Sequence, residues 1–277
     1  MTQNYEDYYA FLREHVMEPF YTKRLKGLQG MRLKDVLLGK NPYLFKAKNI
    51  DTPGDLAKSI VDAFLSSQEE TMFGNLLEGF AIHVAHILYS GFKSEKKSAD
   101  LEFKRDGKYY VVGIKSGTNW GNSDQLAAMR TNFKAAKDEL KRAGITEEII
   151  TVNGCIYGKD NAPLKIYKGD LESAYYKYAG QDFWKFISED DELYRKIIVP
   201  IDQEAKQKDD TFRKAYTSKV NELTLEFSIN FLDASNLIDW SKLVAYVSGR
   251  QNIPLKSVPV AEHTSDAQIK NALAFDD

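Results

Sequence analysis

The chain has 277 residues, 43% hydrophobic and 28% charged, with a net charge of −2, a globular composition long enough for one large domain or two small ones and not that of a globally basic nucleic-acid binder. No apolar run approaches bilayer length, and the opening "MTQNYEDYYAFLREHV" has neither a basic start nor a continuous apolar stretch, so a cytoplasmic protein with no membrane association and no signal peptide is expected. The single cysteine, Cys155, excludes an intramolecular disulfide and an all-cysteine metal site, and reads as a small buried residue in a strand.

Residues 4–39 read mostly as helix, with a break near "GLQG" at 27–30. Between residues 22 and 48 eight basic side chains stand against one acid, Asp35; such a stripe can follow a phosphate backbone or simply face solvent. "GKNPYLFKAKN" reads as a loop in which Pro42 restricts Asn41. "DTPGDLAKSIVDAFLSSQ" starts a new helix, capped by Asp51 or Thr52, with Leu56, Ile60, Val61 and Phe64 as its apolar stripe, and another runs from about 71 to 89. A β-hairpin occupies 99–115, and Ser123 caps an amphipathic helix that ends before Gly144. "EEIITVNGCIYG" and "LKIYKG" are two further strands, joined by a polar turn at 159–163. From 182 the chain is helical again, through "DFWKFI", a stretch around 202–232 and "SKLVAYVSGR"; the last twenty or so residues read as loosely attached. The order is that of an α/β core sheet with a large helical remainder.

The hairpin carries the chemistry. A turn at Asp106-Gly107 suits type I′ geometry and sets Phe103 opposite Tyr110 and Asp100 opposite Gly113. Side chains alternate along a strand, so Leu101, Phe103, Tyr110, Val112 and Ile114 form a core face, and Asp100, Glu102, Gly113 and Lys115 share the other. Asp100 and Lys115 then converge beside a glycine that leaves room. A carboxylate and a neighbouring backbone carbonyl, that of Ile114, suit Mg²⁺, which takes oxygen ligands and keeps several waters. A lysine beside them can orient an attacking water or stabilise developing charge in phosphodiester hydrolysis. A plain surface ion pair has the same sequence pattern.

Helical spacing also puts Thr71, Gly74, Glu78, Ala81 and Ala85 along one stripe. Small residues permit close approach of another element, and a glutamate among them needs a metal, a lysine or solvent as partner. Glu78 is thus a further candidate ligand.

These residues resemble a known family. "ADLEF…VVGIKSG" is similar to the PD-(D/E)xK nuclease signature; "TMFGNLLE", "GIKSGTNWGNSDQL" and "YAGQDFWKFI" resemble a subgroup of type II restriction endonucleases that cut palindromic DNA with an interrupted GGNCC-like core. The likeness runs from about 64 to 190, with a weaker echo in the closing helices. It implies a restriction-endonuclease-like mixed central sheet flanked by helices: a nuclease core at 63–190, an N-terminal helical region at 1–62 with the basic stripe, and a C-terminal helical region at 191–277, as one continuous domain. It further implies a homodimer around double-stranded DNA, one strand cut per subunit, Mg²⁺ as cofactor, 5′-phosphate products, and a host methyltransferase as functional rather than physical partner. Asp100 matches the metal-binding aspartate, Lys115 the signature lysine, Glu78 the acid on the helix before the hairpin, and Gln125 the glutamine on the helix after it.

Two positions depart from the pattern: Ala99 replaces the proline, and Gly113 replaces the second acid. Glu78, or else Glu102, would have to supply the missing carboxylate; without either, the protein would bind DNA and not cut it. The sequence also fits a structure-specific repair nuclease of the same superfamily, and a protein-interaction module with no nucleic-acid role. In "SGTNWGNSDQ", Ser116, Asn119 and Asn122 are candidate donors to phosphate oxygens. In "YGKDN", Lys159 and Asn161 are candidate readers of base edges. His83 and His86 stand three apart on a helix but lack a third ligand and read as structural. Tyr175, Tyr176, Tyr178, Phe183 and Trp184 read as core or dimer interface.

Overall fold

Asp106 and Gly107 both take positive φ, +51° and +70°, the type I′ combination whose twist matches that of the flanking strands. The structure, a computed structural model, describes residues 5–160, 162–205 and 209–256; Asn161 and the closing stretch expected to be loosely attached lie outside the described residues. The helices are α1 (Tyr5–Phe11), continued by a π-helical stretch (Leu12–Met17), α2 (Glu18–Gln29), α3 (Leu33–Leu38), α4 (Pro42–Ala47), α5 (Pro53–Tyr89), α6 (Ser123–Arg142), α7 (Gln181–Ser188), α8 (Leu193–Lys196), α9 (Ile198–Ala205), α10 (Asp209–Phe231) and α11 (Trp240–Ser248). Among the described residues none is long and apolar enough to cross a membrane.

The strands are β1 (Phe92–Lys93), β2 (Leu101–Arg105), β3 (Lys108–Lys115), β4 (Glu148–Cys155), β5 (Leu164–Tyr167) and β6 (Asp170–Ala179), in one mixed sheet ordered β1-β2-β3-β4-β6-β5. β2 and β3 pair antiparallel with Phe103 opposite Tyr110, as the turn dictates. β4 runs parallel to β3, which requires a crossover, and α6 supplies it. β6 is parallel to β4, and β5 pairs antiparallel with β6. This is the mixed sheet flanked by helices that the family resemblance implies, and the α/β core that the order of elements suggests.

The chain divides into two compact units, Met1–Lys26 with Leu65–Phe212, and Gly27–Phe64 with Arg213–Asp277. The first holds the sheet. One sheet face, through Leu101, Phe103, Val112, Ile114 and Val152, packs on Phe80, Ala81, Val84 and Ala85 of α5 and on Phe183, Trp184 and Ile187 of α7. The other, through Tyr109 and Val111, packs on Ala136 and Leu140 of α6. The hairpin's second face is therefore not an open polar surface: Tyr109 and Val111 belong to it as well as the charged residues, and α6 covers it. In the second unit Phe227, Phe231, Leu243 and Tyr246 are buried, with Phe231 edge-on to Tyr246.

Four elements differ from the sequence expectation, the slightest being β1, a two-residue strand with no expected counterpart. "NPYLFKA" is a helix, α4, because Asn41 is extended and its side chain accepts from the N–H groups of Tyr43 and Leu44, with Pro42 just inside the start. The expected two helices between 52 and 89 are one, α5; Thr52 starts it by accepting from Asp55 N–H (3.1 Å), and the polar run at 66–70 contains no breaker. β6 has no counterpart in the expected elements; its turn from β5 uses Lys168 and Gly169 at φ +49° and +75°.

Candidate active site

Asp100 lies just ahead of β2, with its own N–H bonded to Val112 O (2.8 Å). This fixes its carboxylate against the next strand, where Oδ2 accepts from Ile114 N–H (2.6 Å). Lys115, at the end of β3, brings Nζ to 3.6 Å from the same Oδ2 and donates to Ile114 O at 2.9 Å. The ammonium also lies 5.5 Å from the ring centroid of Trp120, within cation–π range. The two side chains are 31% (Lys115) and 23% (Asp100) exposed, open to a ligand yet partly shielded from solvent. One cation thus sits between a carboxylate and a backbone carbonyl.

Glu78 stands in α5 with Lys93 Nζ at 3.8 Å. Burial pushes its carboxyl above the usual range; the negative charge of Asp100 adds to that, and Lys93 and Lys115 pull the other way. Glu78, Asp100 and Lys115 therefore share one electrostatic neighbourhood. The small-residue stripe does allow close approach: a Cβ on Gly74 would run into Ser116 Oγ, so α5 packs directly on the residue that follows Lys115.

The space beside Asp100 at Gly113 is not open, contrary to the sequence expectation. A Cβ at Gly113 would fall 2.5 Å from Ser98 O and 3.4 Å from the ring of Phe133. The segment leading into Asp100 fills the place where the signature carries its second acid. Glu102 is 1% exposed. Its Oε1 accepts from Ser94 Oγ (2.6 Å) and Lys96 Nζ (3.1 Å), and Oε2 from the hydroxyl of Tyr109 (2.8 Å). That carboxylate is enclosed by three donors and ties the 94–96 segment to β2 and β3.

A comparison with protein-family models matches residues 7–209 to the type II restriction endonuclease EcoO109I family. The match spans most of the chain and takes in Glu78, Asp100 and Lys115. The chain belongs to that family. Sequence-specific cleavage of DNA is the activity that membership supports, and enzymes of this kind generally act with divalent metal ions. Among curated proteins nothing matches the chain.

In this EcoO109I-family enzyme the remaining candidates are dispersed over two loops. Ser116 is half-buried against α5 and Asn119 is exposed. Asn122, not Ser123, caps α6: its Oδ1 accepts from the N–H groups of Asp124 and Gln125, and Gln125 Oε1 accepts from Asn122 N–H, a reciprocal capping box. Both side-chain oxygens are thereby engaged, which leaves their NH₂ groups as the donors. Lys159 is exposed; its neighbour Asp160 is bound to Lys165 (2.7 Å) and Lys177 (3.3 Å). Sequence reasoning misses the Lys177 contact with Asp160, since nothing in the sequence sets this lysine apart from the others.

The other sequence features have structural roles. His83 stacks on Phe11 with centroids 4.0 Å apart, and burial pushes its imidazole down; His86 Nδ1 lies 3.1 Å from Gly91 O. Among the described residues no group of three or more His, Cys, Asp or Glu side chains clusters for a metal. Cys155 is buried in β4, and burial raises its thiol to about 11. Trp184 is buried and donates to Ile156 O, and Tyr175 packs on Phe133. Of the basic stripe, Arg24 pairs with Glu69 and covers the ring of Phe212, Arg32 pairs with Asp35, Lys40 donates to Ala63 O, and Lys46 lies over Trp240.

Proposed function

We propose that the chain is a Mg²⁺-dependent type II restriction endonuclease with its nuclease core in 63–190, acting as a homodimer on palindromic double-stranded DNA with an interrupted GGNCC-like core and leaving 5′-phosphates, in the cytoplasm and alongside a host methyltransferase. The observation that carries this reading is the convergence of the Asp100 carboxylate and the Ile114 carbonyl on the Lys115 ammonium. Two hard oxygens already directed at one cation fit a divalent ion that keeps most of its waters. Glu78 would add a second carboxylate; Glu102, enclosed by its own donors, is left out of the ligand set. Bound there, the metal would polarise the scissile phosphate and lower the pKa of a bound water.

The chain's own residues divide the remaining work. Asp100, locked by the Ile114 N–H, presents its other oxygen outward. Asp100 and the Ile114 carbonyl would hold a divalent ion in the place the Lys115 ammonium occupies, and Lys115, released from Ile114 O, would bind a phosphate oxygen or hold the attacking water. That water gives up a proton to surrounding solvent as its oxygen bonds to phosphorus; the bond to the 3′-oxygen breaks, and the 3′-oxygen takes up a proton from solvent water. Ser116, Asn119 and the N-terminus of α6, with the NH₂ groups of Asn122 and Gln125, hold the backbone nearby. Lys159 and Asn161 supply the donors that read base edges.

The test is digestion of a long duplex of known sequence with Mg²⁺ or with EDTA, beside Lys115→Ala. Discrete Mg²⁺-dependent fragments, absent with the variant, are expected, and sequencing their ends gives the site. The blocked position at Gly113 favours a second reading, a DNA-binding protein that has lost cleavage. It predicts a gel shift with intact DNA under every condition.

A further inference from the structure

Two loops flank Lys115, and they are interlocked. Ile156 N–H donates to Lys115 O (2.9 Å) and Tyr157 N–H to Ser116 O (3.0 Å), so the pairing of β3 with β4 runs on past Lys115. A Cβ on Gly117 would lie 2.6 Å from the ring of Tyr157, and one on Gly158 would lie 2.7 Å from Thr118. Glycine at both positions leaves room for the Tyr157 ring and the Thr118 side chain where the loops meet, and Gly158 also takes φ +105°. Into this junction β6 sends Lys177. Its side chain is only 16% exposed; Nζ donates to Thr118 O in one loop (3.3 Å) and pairs with Asp160 Oδ2 in the other (3.3 Å). Asp160 in turn accepts from Lys165 Nζ and from Ala162 N–H. A cation this buried depends on keeping both partners. Displacing either loop alone would strip it of one.

We propose that Lys177 is a positioning residue that couples the loop carrying Lys159, residues 157–160, to the loop after Lys115, so that discrimination between DNA sequences reaches the site of cleavage. It acts through Asp160 and Thr118. The inference rests on the placement of the two loops against DNA given under Proposed function.

The experiment uses the full chain and a long duplex of known sequence, with initial cleavage rates read at the preferred site and at sites one base pair different. Lys177→Met keeps the stem and removes the charge, Lys177→Arg keeps the charge, and Asp160→Asn weakens the partner. Lys177→Met is expected to lower the ratio of preferred to altered-site rates about tenfold, with Asp160→Asn following it and Lys177→Arg recovering most of the ratio. General loss of folded protein lowers both rates in parallel and leaves their ratio unchanged, so an unchanged ratio in Lys177→Met and Asp160→Asn overturns the coupling. Lys115→Ala separates the two ideas. Cleavage that survives it overturns the active-site reading; loss of cleavage there, with an unchanged ratio in Lys177→Met, overturns only the coupling.

Discussion

Two carboxylates two residues apart, one just ahead of β2 and one within it on the same face, are treated in opposite ways. Glu102 is sealed under α6 with Ser94, Lys96 and Tyr109 supplying donors to both oxygens. Asp100 is partly open, with one oxygen engaged by Ile114 N–H and by a lysine that it shares with a carbonyl. A buried, fully bonded acid is a structural fastening, since nothing can bind it without first breaking what it holds. A partly solvated acid with an oxygen to spare can take a ligand at little cost to the fold. The contrast shows that residue type and face do not separate a fastening from a site; the unfilled hydrogen-bonding capacity does.

The largest effects should fall on opposite observables for the two groups. Lys115→Ala and Asp100→Asn should each lower the cleavage rate about a thousandfold, while thermal melting shifts little, because a pair at this exposure contributes about 1 kcal/mol or less. Melting that collapses together with activity would make Asp100 a fastening like Glu102. Glu102→Ala should do the reverse and lower unfolding free energy by about 3 kcal/mol, because it leaves Lys96 without its buried partner. Urea denaturation measures this, and Glu102→Gln, which keeps an acceptor, should be milder.

That distinction is only half legible in the sequence. The Asp106-Gly107 turn fixes the hairpin register locally, so the opposition of Phe103 to Tyr110 and the approach of Asp100 to Lys115 follow from a dipeptide and a period of two. The fate of Glu102 depends on α6, some thirty residues away, and on Ser94 and Lys96, whose segment has no regular pattern. β6 escapes a reading of the sequence because its reason to be a strand is β4, a parallel partner supplied by tertiary structure. α4 escapes for a different reason: Asn41 with Pro42 is a loop signal, yet extended Asn followed by Pro is also how a helix starts. Lys177 is hidden as one lysine among many; its two partners become visible only when the loops are side by side.

Restoring the signature acid sharpens the comparison further. If the open end of the hairpin could accept another carboxylate, Gly113→Asp would strengthen metal binding. The carbonyl of Ser98 already stands 2.5 Å from where the new Cβ must go, so the variant should be destabilised, by about 1–3 kcal/mol, with no gain in cleavage at low Mg²⁺. Denaturation midpoints and a Mg²⁺ titration of cleavage rate check both parts. Tighter metal dependence at unchanged stability would mean that the 94–99 segment moves aside readily.

The smallest expected effect belongs to Glu78 and lies in the pH dependence of stability. Its carboxyl is raised above the ordinary value of 4.5 by burial first and then by Asp100. A carboxyl whose folded pKa exceeds its unfolded one contributes stability that is present below the unfolded value and is lost as pH rises through the folded one. Glu78→Gln should therefore flatten that part of the stability curve and gain on the native protein as pH rises above 4.5. A divalent ion near the ionised Glu78 favours the charged form, so at neutral pH Mg²⁺ should raise the melting midpoint of the native protein more than that of the variant. Equal Mg²⁺ shifts in the two proteins would place Glu78 outside the ligand set and leave Asp100 and the Ile114 carbonyl to hold the ion with water.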